Sequence, residues 1–159
     1  MTTTIVTPDQ DTIVADIQIS APPERVFKAL TSPEELQRWF HGGAECPMKI
    51  WKMDARPGGS YSYHTKSGST AVDAILQMEC HGEIVECDPP HVLVYTWIAN
   101  WHDIPNSSTT VRWELKPNQG GTHVKVTHSG LGSLPVARKD YSGGWSGVVE
   151  QLKKFVEGQ

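Results

Sequence analysis

The residues of this 159-residue chain whose chemistry could define a site are its histidines, cysteines and tryptophans. The seven histidines, His41, His64, His81, His91, His102, His123 and His128, show neither an H-E-x-x-H pattern nor a paired spacing that would set two imidazoles on one ion. The three cysteines, Cys46, Cys80 and Cys87, form no C-x-x-C motif. Cys80 and His81 are neighbours on a strand and point to opposite faces, so they do not converge on a metal without a bulge. No metal and no cofactor is expected, and an odd number of thiols suits a reducing cytoplasmic compartment. The pairs Gly42-Gly43, Gly58-Gly59 and Gly120-Gly121 read as turns rather than as a phosphate-binding loop or a nucleophile elbow.

His128 stands apart from the other histidines. In the alternation Thr122, Val124, Val126, His128 it shares the inward side of a strand, where a polar group needs a partner. A polar atom of a ligand could be that partner; so could the backbone, another side chain or a buried water. Acid–base catalysis would require a second oriented group, for which Glu86 and Asp140 are the candidates, and no catalytic residue is assigned. Trp39, Trp97, Trp113 and Trp145, with Tyr95, are large stiff surfaces able to wall an apolar cavity; the alternative is ordinary core packing. A chain with six Trp and three Phe leans toward the cavity, because each indole N–H needs an acceptor.

These side chains must be positioned by elements whose period is legible. Ile13, Ala15, Ile17 and Ile19 alternate with polar residues as a half-buried strand. Two short helices follow, the first opened by Pro22-Pro23 and the second by the capping box Ser32-Pro33-Glu34-Glu35. Their apolar faces are Val26, Phe27, Leu30 and Leu36, Trp39, Phe40. From Met48 to His128 the period is two, broken by Arg56-Pro57-Gly58-Gly59, Lys66-Ser67-Gly68, Asp88-Pro89-Pro90, Pro105-Asn106 and Asn118-Gln119-Gly120-Gly121 into about six strands. Tyr141, Trp145, Val148, Val149, Leu152, Phe155 and Val156 then repeat at helical spacing in one long closing helix. The order places this chain in the α+β class, an antiparallel sheet of about seven strands with helices on one face. Residues 1–10 are expected to be a flexible leader and residues 11–159 a single domain.

In the closing helix Gly143, Gly144 and Gly147 each cost about 1 kcal/mol relative to Ala. Gly144 and Gly147 could leave a bare strip beside Trp145 that keeps a cavity open, with Val148 on its inner edge. The alternatives are close packing of the helix on a strand, or a helix that starts only at about Trp145. The expected lining is therefore Trp39, Tyr95, Trp97, Trp113, His128, Gly144, Trp145, Gly147 and Val148.

Composition removes several partners. Fourteen basic against eighteen acidic residues give a net charge of -4, without the excess that neutralises phosphates, so no nucleic acid is expected. No apolar run approaches the roughly 20 residues that span a bilayer, and Met1 to Gln10 lack the order of a signal peptide. No membrane insertion is expected. The Asn106-Ser107-Ser108 triplet reads as a loop.

Ile19-Ser20-Ala21-Pro22-Pro23-Glu24-Arg25-Val26-Phe27, Pro33-Glu34-Glu35-Leu36-Gln37-Arg38-Trp39-Phe40 and Arg56-Pro57-Gly58-Gly59 resemble the opening of the activator of heat shock protein 90 ATPase family, in the START-like SRPBCC superfamily. Gly82-Glu83-Ile84-Val85-Glu86, the run from Asp88 to Trp97, Thr127-His128-Ser129-Gly130-Leu131 and Gly144-Trp145 are similar to its later blocks. The resemblance covers about residues 10–157. It implies a helix-grip fold, a curved antiparallel sheet around the C-terminal helix with a cavity between. One fold of this kind hosts many activities, so function is read from the site: the aromatic walls, with His128 to orient a guest, point to non-catalytic binding of a small hydrophobic molecule there. The alternatives are a module that modulates a chaperone ATPase, with the chaperone as partner, and a cofactor-independent cyclase or dehydratase.

Overall fold

The computed structural model describes residues 3–40, 49–65, 79–99 and 102–158. His41, Gly42-Gly43, Cys46 and the Lys66-Ser67-Gly68 turn lie outside the described residues. The elements are β1 (Thr3–Val6), β2 (Ile13–Ile19), α1 (Pro23–Thr31), α2 (Pro33–Trp39), β3 (Lys49–Met53), β4 (Ser60–Thr65), β5 (Glu79–Asp88), β6 (Val92–Ala99), β7 (Thr109–Asn118), β8 (Gly121–Ser129) and α3 (Pro135–Glu157). The strands form one antiparallel sheet in the order β1-β2-β8-β7-β6-β5-β4-β3, and α3 packs on its inner face. This is the expected helix-grip arrangement.

The sheet has eight strands rather than about seven. The additional one, β1, comes from the segment read as a leader, and pairs Thr3 through Val6 with Asp16 through Ile13. Its Ile5 and Val6 are exposed, so it shows no alternation. An edge strand of this kind is specified by backbone hydrogen bonds rather than by a buried face.

Local chemistry sets the element ends. Ser32 Oγ accepts the Glu35 amide at 3.4 Å, as a capping box requires, and the Glu35 carboxylate takes Arg25 at 2.7 Å to join α1 to α2. The β7–β8 hairpin turns through Gln119 and Gly120, both at positive φ, between the paired residues Asn118 and Gly121. This is the backbone of a two-residue turn whose twist suits an antiparallel pair.

Because β2 and β3 stand near or at opposite edges of the sheet, the chain between them must cross its width, and α1 and α2 make that crossing. They pack against α3 as they go, which brings Trp39 and Phe40 at the end of α2 beside β3 and α3. Helix α3 is clamped at both ends. Asp103, from the β6–β7 loop, accepts the backbone amides of Val136 and Ala137 at 3.0 and 2.9 Å and so caps a helix whose own N-cap, Leu134, has no side chain to do it. At the other end Glu157 accepts the Ser20 amide, and Lys153 donates to the Gln18 carbonyl. None of the described helices is long and apolar enough to cross a membrane.

The helix begins at Pro135, so Gly143 and Gly144 lie in its interior rather than before it. A Cβ built on either meets nothing within 4 Å, which excludes close packing at these two positions. Gly82 is the opposite case. On β5 a Cβ there would overlap the Thr96 carbonyl oxygen, which turns inward at a point where Glu83 N–H donates to Thr96 Oγ1 and Tyr61 donates to that same carbonyl. Alanine should therefore act with opposite signs in thermal denaturation. Gly144→Ala is expected to stabilise by about 0.5–1 kcal/mol, and Gly82→Ala to destabilise by roughly 1–3 kcal/mol.

Candidate functional site

The inward positions of β6, β7 and β8 place Tyr95, Trp97, Thr109, Trp113 and His128 under α3, all buried. Their polar atoms form a directional chain. Trp145 Nε1–H donates to His128 Nδ1 at 3.0 Å, so Nδ1 must be unprotonated and the hydrogen of the neutral ring sits on Nε2. From there it donates to Thr109 Oγ1 at 2.7 Å, and the Thr109 hydroxyl donates to the Trp97 carbonyl at 2.8 Å. The Trp97 indole carries the chain on, donating to Tyr141 Oη at 2.9 Å. His102 Nδ1 faces the Ser107 carbonyl at 3.1 Å and must donate to it, which leaves Nε2, 2.8 Å from Tyr141 Oη, to accept the tyrosine hydrogen.

This chain fixes protonation. A second proton on His128 would aim an N–H at the Trp145 N–H. Burial, with the electrostatic influence of neighbouring His102 second, lowers the His128 pKa from 6.5 to about 3. Burial also lowers His102, against the opposing pull of the Ser107 carbonyl. The Tyr61, Tyr95 and Cys80 groups are all pushed up by burial, so each stays neutral.

Beside the chain lies a wall of rings. Phe40 is its hub, with ring centroids 4.9 Å from Trp51, 5.0 Å from Trp39 and 6.3 Å from both Trp97 and Trp145. Trp51 packs on Tyr63 at 4.5 Å, and Tyr61 on Tyr95 at 4.7 Å. Among the described tryptophans, Trp39 donates to Ala29 O, Trp97 to Tyr141, Trp113 to Tyr95 and Trp145 to His128. Trp51 Nε1 is buried without a partner among the described residues. Protein groups thus satisfy four indoles, and the argument from tryptophan content to a cavity rests on the fifth.

Of the expected lining, Trp39, Tyr95, Trp97, Trp113, Trp145 and Val148 are buried in one cluster with the His128 ring against Trp97 and Trp145, whereas Gly144 and Gly147 are half-buried on α3. Glu86 is exposed and pairs with Arg112 on the outer face, and Asp140 is exposed, so neither stands beside His128. The sequence reading omitted Phe40, Trp51, Tyr61, Tyr63, Thr109, His102 and Tyr141 from the site. The alternation of Tyr61 and Tyr63 with Ser60 and Ser62 was a usable signal for two of them.

A cleft of about 630 Å³ opens on the outer face of β3 to β6, where Ser60 and Ser62 leave a trough between Lys52 and the pair His81 and Glu83. Among the described residues no three His, Cys, Asp or Glu side chains are grouped to hold a metal ion, and Cys80 and Cys87 are free thiols.

With this geometry in view, residues 20–157 match the family model described as activator of Hsp90 ATPase homolog 1-like protein. The chain belongs to that family. No curated protein matches it. Solved structures do: Ms6760 from Mycobacterium smegmatis, with a TM-score of 0.75 at 18% identity, covers 98% of this chain and 97% of its own. CalU16 from Micromonospora echinospora has a TM-score of 0.66 at 20% identity over 98% of this chain and 83% of its own. CV1439 from Chromobacterium violaceum has a TM-score of 0.70 at 24% identity over 92% of this chain and 98% of its own. At these identities the likeness establishes the fold that this activator-homologue family shares.

Within this family member His128 links stability to pH. The unfolded chain takes up a proton near pH 6.5 that the folded chain refuses until about pH 3, so the histidine's contribution is complete above pH 6.5 and is lost as pH falls toward 3. The slope is about 1.4 kcal/mol per pH unit for one proton. Denaturant unfolding of the wild type and of His128→Gln between pH 6.5 and 4.5 should show the variant's stability falling less steeply by close to one proton.

Proposed function

We propose that this protein binds a small hydrophobic molecule against the aromatic wall between β3, β4, β6 and α3 and performs no chemistry on it. The observation that carries the reading is the wall itself: Phe40, Trp51, Tyr63, Trp97 and Trp145 meet ring to ring at the point where α2, the sheet and α3 converge. Flat, stiff side chains present large apolar area at small entropic cost. Non-catalytic binding is supported by the state of the buried groups. Both His128 nitrogens are bonded within the protein, its ring is neutral, and among the described residues no carboxylate is bonded to it. A general base needs a free lone pair within reach of substrate.

Protein purified without denaturation should carry a small molecule detectable by native mass spectrometry, or should gain melting temperature from neutral aromatic compounds. Phe40→Leu should keep the fold and weaken that binding several-fold, because it removes the ring at the hub. Absence of both a carried molecule and any thermal shift across such compounds would refute the reading.

A further inference from the structure

The unpartnered indole of Trp51 sets a chemical requirement on what the wall holds. Trp51 is 2% exposed, and its Nε1–H has no acceptor among the described residues. A buried donor left unpaired is costly enough that native proteins rarely keep one without a use. The donor is also held in place: the Trp51 backbone amide donates to Gln37 Oε1 of α2 at 3.1 Å, and Phe40, Tyr61 and Tyr63 pack around the indole. A trapped water needs two to four polar partners. The neighbouring hydroxyls are committed elsewhere, Tyr61 to the Thr96 carbonyl and both tyrosines to the Cys80 thiol.

The described surroundings also hold no buried charge. Among the described residues the buried polar side chains are His102, Thr109, Thr122 and His128, so no buried Lys or Arg is available to neutralise an anion. Taking an unpaired carboxylate out of water would cost more than one hydrogen bond returns.

We infer that the molecule held at this wall is a neutral, flat compound with a carbonyl oxygen, and that this oxygen accepts the Trp51 Nε1–H bond. The inference rests on the binding reading above and adds its recognition element. Nε1 of Trp51 orients the guest beside the rings of Phe40 and Tyr63 that hold the indole in place.

Fluorene, 9-fluorenone and fluorene-9-carboxylate share one tricyclic frame and differ in the group presented, which suits titration by calorimetry. Wild type should bind fluorenone roughly five- to tenfold more tightly than fluorene, as one neutral hydrogen bond implies, and should bind the carboxylate least. Trp51→Phe should retain fluorene binding and lose the preference for the ketone. In ¹H–¹⁵N spectra of the wild type, the Trp51 indole resonance should move downfield with fluorenone and not with fluorene, a readout that holds even if the variant does not fold. Equal affinity for ketone and hydrocarbon, tightest binding of the carboxylate, a preference that survives in Trp51→Phe, or an unmoved indole resonance would each overturn the acceptor assignment while leaving hydrophobic binding intact. Failure of all three compounds to bind would instead remove the binding reading, and the inference with it.

Discussion

The interior depends on a single requirement: polar groups carried inside by the alternation of β6, β7 and β8 must find partners there. The chain from Trp145 through His128 and Thr109 to the Trp97 carbonyl meets it, tying α3 to three successive strands. Each member has one role. Because Trp145 can only donate and the Trp97 carbonyl can only accept, the direction of every bond between them is determined, and with it the tautomer of His128. A neutral imidazole follows from that direction as much as from burial.

The same logic extends to the placement of α3. Asp103 caps the helix and its neighbour His102 takes the Tyr141 hydrogen, so one loop sets both where the helix starts and which way its first inward tyrosine faces. Tyr141, Trp145, Val148 and Leu152 then fall along the inner face. At the far end Glu157 and Lys153 hold the helix to the end of β2. A helix tied at both ends and bonded along its length forms a rigid side for whatever the wall holds, and pre-organisation of this kind lowers the entropic cost of binding.

The aromatic wall owes its position to the crossing of α1 and α2 over the sheet. Phe40, the residue immediately after α2, reaches Trp51, Tyr63, Trp97 and Trp145 because the chain must arrive at the β3 edge there. Among the described residues one donor in this region, Trp51 Nε1–H, escapes the pairing found elsewhere in the interior. The contrast between a histidine with both ring nitrogens satisfied and a tryptophan whose indole nitrogen is not moves the centre of interest from β8 to β3.

Much of the fold was legible from short-range physics. Periods of two and 3.6, the capping box at Ser32 and the glycine turn at Gly120 are written in neighbouring residues, so strands β2 to β8 and the three helices could be read from the chain alone. The inward parity of His128 and the burial of Trp39, Trp97, Trp113 and Trp145 follow from the same alternations. Edge strand β1 was not legible, because no buried face marks it. Nor was the cap that Asp103 supplies to a helix 33 residues further on. Which indole finds an acceptor, and which does not, was also undecided by sequence. Hydrogen-bond partners are set by the distance and direction of atoms brought together from distant parts of the chain, and local patterning carries no record of either.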